Sequence, residues 1–214
     1  ILELLTVIQW IAQAGWNPAM VLASSFVALI TFGMLILMLP LCRPEDQVPA
    51  DWLTALFTAT SACCVTGLVA VDTATYWSRV GQCVILMLIQ VGGLGIMTFG
   101  AFFAMAVSNR GSIRETATMR DLLESEQLSN VGRLVRSIVG LTVGIELMGA
   151  LLLSGLWADQ PWSEMLFQSL FHSVSAFCNA GFSTRGPGLN MEGWELRWQV
   201  WCVLAGLIIL GGFG

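Results

Sequence analysis

The fold is decided by the stretch LFTATSACCVTG at residues 56–67, because its pattern returns as LFHSVSAFCNAG at residues 170–181. The two stretches share six identities: the leading Leu-Phe pair, a Ser-Ala pair, one Cys and the closing Gly. Further along, GGLG at 92–95 has a counterpart in GGFG at 211–214. Two elements that repeat in the same order indicate a structural duplication.

The composition indicates that the duplicated units lie in a membrane. The chain of 214 residues is 56% hydrophobic and 11% charged, whereas a soluble domain carries about 25% charged residues. Long uncharged runs alternate with short ones that are rich in Ser, Thr and Gly. The net charge of −5, with no Lys, argues against a nucleic-acid partner. We therefore predict an all-α, multi-pass integral membrane protein in the cytoplasmic membrane.

The charged residues divide the chain into four segments. We predict an N-terminal interfacial helix at 1–17, a first helix–pore loop–helix unit at 18–108, a cytosolic helical loop at 109–133 and a second, truncated unit at 134–214. The final apolar run has no polar boundary, so we expect the natural protein to continue beyond Gly214.

The two short polar-apolar segments, 52–71 and 165–184, allow two topologies. If they cross the membrane, eight Arg fall on one side and one on the other, as the positive-inside rule prefers. If they enter and return, the split is five to four. Helix from 52 to Cys63 would reach only about halfway across at 1.5 Å per residue, which places a Gly-centred stretch at mid-depth. Non-helical backbone at that depth must be buried or line a watery cavity, so we favour re-entrant pore helices.

Such a loop has a definite chemical capacity. The C-terminal end of a short helix presents partial negative charge to a cation, and backbone carbonyls that follow can replace the hydration shell of the ion. Glycine permits the close approach that this needs. Neither loop contains an acidic residue, so selectivity would come from carbonyl dipoles. The predicted ion-filter residues are Val65, Thr66, Gly67, Asn179, Ala180 and Gly181.

Several other residues have both a structural and a functional interpretation. Glu146 lies within a predicted span, where we favour a packed and partnered structural acid over an ion site. His172, the single His, lacks neighbours at metal-ligand spacing. The six Cys are interpreted as buried small hydrophobic residues. Gln90 and Asn179 could bond between helices or hold the filter in shape. Eight acids lie on the presumed outer side, where they either attract cations or cap the membrane edge: Glu45, Asp46, Asp51, Asp72, Asp159, Glu164, Glu192 and Glu195.

The motifs resemble those of the Trk/Ktr/HKT family of potassium transporters, and of the Ktr membrane subunit in particular. The stretch 55–73 is similar to the first pore loop of that family, QVGGLGIMTF at 90–99 to the following helix, and FHSVSAFCNAGFS at 171–183 to the second pore loop. The resemblance runs from about Pro18 to Gly214 and covers the N-terminal half of such a protein.

The resemblance implies four helix–loop–helix units around one pore, with Gly67 and Gly181 as the first two filter glycines. It implies uptake of K⁺, with no covalent cofactor, through a pore that Na⁺ often stimulates. It also implies a homodimer on a cytosolic regulatory subunit that binds ATP or ADP. The two rival functions are an enzyme and a non-conducting scaffold subunit. An enzyme would need a nucleophile–base pair or metal cluster, which the sequence does not offer; a non-conducting scaffold subunit would not need both loop glycines.

Overall fold

A computed structural model describes residues 18–44, 47–108, 117–185 and 197–213. Side chains are described for these residues except 18–19, 101–108 and 117–131. The described residues contain helices and no strand. The predicted interfacial helix at 1–17 lies outside the described residues, as do 109–116 of the predicted loop.

Seven α-helices follow one another along the described chain. They are α1 (Pro18–Leu37), α2 (Trp52–Cys63), α3 (Thr73–Tyr76), α4 (Arg79–Ser108), α5 (Ala117–Leu153), α6 (Trp162–Phe177) and α7 (Ala205–Gly212). Short 3₁₀ helices occupy Pro40–Cys42 and Ser154–Trp157, and a π-helical turn, Gln199–Leu204, leads directly into α7. Helix α5 runs without a break from the polar segment into the apolar one.

Three of these helices are long and apolar enough to cross a membrane: Met20–Leu37 in α1, Arg79–Gly100 in α4, and Gly132–Trp157 in α5 with the 3₁₀ helix that follows it. Large apolar side chains on them face outward, among them Phe32, Met87 and Leu151. Helix α2 is different, because its 12 residues measure about 18 Å at 1.5 Å per residue, against a hydrocarbon core of about 30 Å. The predicted all-helical fold is confirmed for the described residues, and its three long apolar helices are compatible with a membrane protein.

Packing follows the duplication. In the first unit α2 lies against α1 and α4, and in the second unit α6 lies against α5 and α7. Helix α4 also contacts α5 and α6, which joins the two units. The shared core contains Trp77, Phe171 and Phe182, each almost fully buried.

The repeated glycines lie where α4 meets the end of α2 and where α7 meets the end of α6. A Cβ built on Gly92 would overlap the carbonyl oxygen of Cys63, at the end of α2. A Cβ built on Gly211 would overlap the carbonyl oxygen of Phe177, at the end of α6. The second repeat of the sequence therefore has a packing reason: a side chain at either position would separate the two helices.

Gly92→Ala should lower the stability of the protein by about 1–3 kcal/mol, because backbone has to move to admit the methyl group. The matched variant is Gly95→Ala on the same helix, where the new Cβ would lie 3.6 Å from the Phe26 ring in ordinary contact. Thermal unfolding in detergent, followed for both variants of the complete protein, measures the difference. Equal melting temperatures for the two variants would contradict the close contact with Cys63.

Candidate functional site

The two predicted pore loops have the same unusual backbone conformation. In the first loop Val65 and Gly67 have φ of 56° and 74°. In the second loop Asn179 and Gly181 have φ of 59° and 71°. Positive φ is uncommon for non-Gly residues and rare for a β-branched one such as Val. Because each pair lies 114 residues from its counterpart, the duplication extends to backbone dihedral angles.

One serine closes each loop in the same way. Ser61 accepts from the Thr66 amide through its carbonyl (3.0 Å), and its hydroxyl donates to the Leu68 carbonyl (2.6 Å). Ser175 accepts from the Ala180 amide (2.7 Å), and its hydroxyl donates to the Phe182 carbonyl (2.6 Å). In the sequence these serines are visible only as identities between the two repeats. Their role in holding the loops became visible only in the structure.

The two loops meet at their glycines. A Cβ on Gly181 would lie 3.2 Å from the Gly67 Cα, and a Cβ on Gly67 would lie 3.0 Å from the Ala180 carbonyl oxygen. The structure thus brings the two predicted filter segments, 65–67 and 179–181, into direct contact. The Asn179 side chain turns toward α7, where its Nδ2 donates to the Ile208 carbonyl (3.3 Å).

A cavity of about 290 Å³ lies beside the C-terminal ends of both short helices. Part of its wall is formed by Val65, two residues after α2 ends, and by Cys178, the first residue after α6. Glycines of α4 and α7 form much of the remainder. A helix C-terminus carries partial negative charge. Because two such ends border the cavity, its electrostatic environment favours a cation.

His172 supports the far side of the second loop. Its ring is buried, Nδ1 lies 2.8 Å from the Gln168 carbonyl and Nε2 lies 3.0 Å from the Ser183 hydroxyl. A carbonyl can only accept, so in a neutral imidazole Nδ1 donates and Nε2 accepts from Ser183. The described residues hold no group of three His, Cys, Asp or Glu suited to a metal ion, and both His172 nitrogens are already used by the protein.

Glu146 is packed and partnered, as the sequence analysis favoured. It is 3% exposed, and its Oε2 accepts from Gln90 Nε2 at 3.1 Å. Gln90 therefore bonds between helices α4 and α5, which was one of its two proposed roles. Of the six cysteines, three are buried as expected (Cys42, Cys63 and Cys178), but Cys83 and Cys202 are exposed and Cys64 is intermediate. The uniform burial expected for the cysteines is wrong, because a membrane-facing surface accepts apolar side chains as readily as a core does.

Charged residues at the presumed outer edge act mainly through local contacts. Asp51 accepts from the Leu53 amide (3.2 Å) and Asp72 from the Ala74 amide (3.1 Å), so both cap helices. Arg79 forms an ion pair with Glu164 and lies 3.9 Å from the Phe167 ring centroid, which joins the two units. The helix caps and the ion pair are local contacts, and the attraction of cations to this edge stays a prediction. Glu45, Asp46, Glu192 and Glu195 lie outside the described residues.

Known proteins resemble the chain closely. The TrkH family, described as a cation transport protein, matches residues 9–214. Ktr system potassium uptake protein B of Bacillus subtilis (strain 168) is 40% identical over 97% of this chain and 45% of its own length. Potassium/sodium uptake protein NtpJ of Enterococcus hirae is 36% identical over 92% of this chain, and Ktr system potassium uptake protein B of Vibrio alginolyticus is 37% identical over 94%.

The chain belongs to the TrkH family of cation transport proteins. The family resemblance predicted from the pore-loop motifs is confirmed, and a transport family is shown rather than an enzyme family. The chain spans a little under half the length of these relatives, 43–45%.

Ser175→Ala should loosen the second loop, because it removes the hydroxyl that holds the Phe182 carbonyl. We expect a loss of about 1–3 kcal/mol from the buried acceptor left unpaired. The matched control is Ser169→Ala, one and a half turns earlier on α6, whose hydroxyl donates only within the helix, to Met165 (2.7 Å). Hydrogen exchange of the 178–183 amides checks the prediction; protection that stays equal in both variants would contradict it.

Breaking the Arg79–Glu164 ion pair should have a small, pH-dependent effect on stability. The hydrogen bond from Arg79 lowers the pKa of Glu164 below its ordinary value of 4.5, so the stabilisation is present above pH 4.5 and is lost as the pH falls through the lowered pKa. Because both side chains are partly exposed, Glu164→Gln should cost at most about 1 kcal/mol. Melting temperatures of the two proteins should differ at pH 7, and the difference should shrink as the pH is lowered below 4.5; a difference that does not shrink would exclude this cause.

Proposed function

We propose that this chain supplies two loops of a selectivity filter through which the complete protein takes up potassium ions. The observation that carries the proposal is the meeting of Gly67 and Gly181, in loops of matching backbone conformation, beside a cavity flanked by two helix C-termini. Backbone carbonyls of 65–67 and 179–181 would replace the ion's hydration shell. Relatives named as potassium uptake proteins support K⁺ as the substrate.

In this proposal α2 and α6 are re-entrant pore helices. Each is followed by non-helical backbone and then by a long or apolar helix, and α2 is too short to cross a bilayer. The buried serine bonds satisfy loop carbonyls that lipid could not. Full spans remain the alternative topology, which the distribution of Arg would favour.

The relatives' names bear on the choice of ion and on partners. One is named a potassium/sodium uptake protein, so Na⁺ is a second ion for the pathway. Others are named as parts of a Ktr system. From the family resemblance we propose that the complete protein forms a homodimer in the cell membrane, on a cytosolic subunit that binds ATP or ADP. The rival function is a non-conducting scaffold subunit.

The test replaces each loop glycine in the complete protein, expressed in cells that lack their own potassium importers. In Gly67→Ser and Gly181→Ser the new Cβ would meet the opposite loop, at a φ that only Gly adopts easily. We expect rubidium uptake to fall at least about tenfold, or sodium to compete with it, because a strained φ costs about 1–3 kcal/mol and displaces the carbonyls.

Gly144→Ser is the matched control, since a Cβ there meets nothing within 4 Å. It should leave uptake and sodium competition unchanged. If both loop variants reach the membrane and transport rubidium as the unmodified protein does, the filter assignment is wrong. If the unmodified protein itself reaches the membrane but does not transport rubidium, the scaffold function is favoured instead.

A further inference from the structure

Three side chains form a buried link behind the second loop, which we call the loop brace: Gln90 of α4, Glu146 of α5 and Cys178 at the end of α6. The Glu146 carboxyl has one oxygen 3.1 Å from Gln90 Nε2 and the other 3.8 Å from Cys178 Sγ. Gly93 of α4 also packs closely against the thiol, since a Cβ built on it would lie 2.8 Å from Sγ.

A hydrogen bond to the backbone also joins α5 to α6 at Glu146. The Ser173 hydroxyl, fully buried on α6, donates to the Glu146 backbone carbonyl at 2.7 Å. One turn further along α5, Gly149 brings its helix so close that an added Cβ would lie 2.5 Å from Ser173 Oγ. Helices α5 and α6 therefore cannot slide past each other at Glu146 without breaking a buried hydrogen bond.

Among its described residues, the first unit has no polar link equivalent to the loop brace. Gly33 approaches Leu88 in the first unit as Gly149 approaches Leu207 in the second. Aligning these two glycines gives the first helices of the two units an offset of 116 residues, so Ile30 is the equivalent of Glu146. Between α2 and α6 the offset is 114 residues, so Ala59 is the equivalent of Ser173. Apolar residues therefore suffice for packing at this level, and the carboxyl inside the second unit needs a reason beyond packing.

We propose that Glu146 is a positioning residue that sets the ion selectivity of the second loop through its hydrogen bonds to Gln90 and Cys178. This inference rests on the proposed function of the loops. Cys178 directly precedes Asn179, where the backbone turns to φ 59°, so the orientation of Cys178 fixes the direction of the carbonyls that follow. Groups that orient an ion's ligands commonly change its affinity 10- to 100-fold when they are removed.

The hydrogen-bonding role makes a prediction that a purely electrostatic role does not. The Gln90 Oε1 atom is buried and has no partner in the structure. In Glu146→Gln the new amide oxygen accepts from Cys178, and the new amide nitrogen donates to Gln90 Oε1 once the Gln90 amide turns over, so both links of the brace survive without the charge. In Glu146→Leu and Gln90→Leu the brace is lost at similar side-chain volume.

The experiment measures rubidium uptake by the complete protein, with sodium as competitor, in cells lacking their own potassium importers. The ratio of the sodium inhibition constant to the rubidium KM should fall about tenfold in Glu146→Leu and in Gln90→Leu. It should fall no further in the double variant, because either change alone breaks the brace. It should stay within about twofold of the unmodified protein in Glu146→Gln.

Thr142→Val is the matched control, a buried residue one turn earlier on α5 replaced by one of the same shape. Its ratio should not change, even if the amount of protein in the membrane does. An unchanged ratio in Gln90→Leu, or a Glu146→Gln ratio as low as that of Glu146→Leu, overturns the proposal; the second result would assign the effect to charge. If Gly67→Ser and Gly181→Ser also leave the ratio unchanged, the filter assignment itself fails.

Discussion

The contact on which the rest of the structure depends is the close approach of a glycine in α4 or α7 to the last carbonyl of α2 or α6. Gly92 lies against Cys63 and Gly211 against Phe177, in each case closer than any side chain would allow. The approach holds each short helix where its C-terminal end borders the cavity, and it sets where the following loop begins. Without it, neither loop would have a fixed position from which to meet the other.

From that contact the two loops are built by the same means. Each leaves its helix through a residue with positive φ, turns again at a glycine, and is closed by a serine that bonds both an amide and a carbonyl of the loop. Non-helical backbone in an apolar environment requires such internal partners. The second unit differs from the first because His172 and Glu146 make buried hydrogen bonds. At the position equivalent to Glu146, the first unit has the apolar residue Ile30.

Much of the fold was predictable from local pattern. Apolar runs gave the three long helices, and the Ser-Ala-x-Cys-x-x-Gly repeat marked the two stretches in which the structure has matching positive-φ residues, because positive-φ positions and spanning lengths impose strong local requirements. The serine bonds and the Glu146–Cys178 proximity could not be predicted, because they join residues whose relation depends on helix crossing and rotation. The exposure of Cys83 and Cys202 was missed for a related reason: hydropathy alone does not tell a lipid-facing surface from a core.

The sequence by itself determined the membrane class, the duplication, the family and the two glycine-centred segments, since each is encoded in composition or in short contiguous motifs. The tertiary structure alone decided that Gly67 and Gly181 lie against each other, that a cavity borders both short helices, and that α4 serves both units. Gly92 of α4 contacts the end of α2 while Gly93 contacts Cys178 at the end of α6. Contacts of this kind arise from packing between distant segments, and no local pattern specifies them.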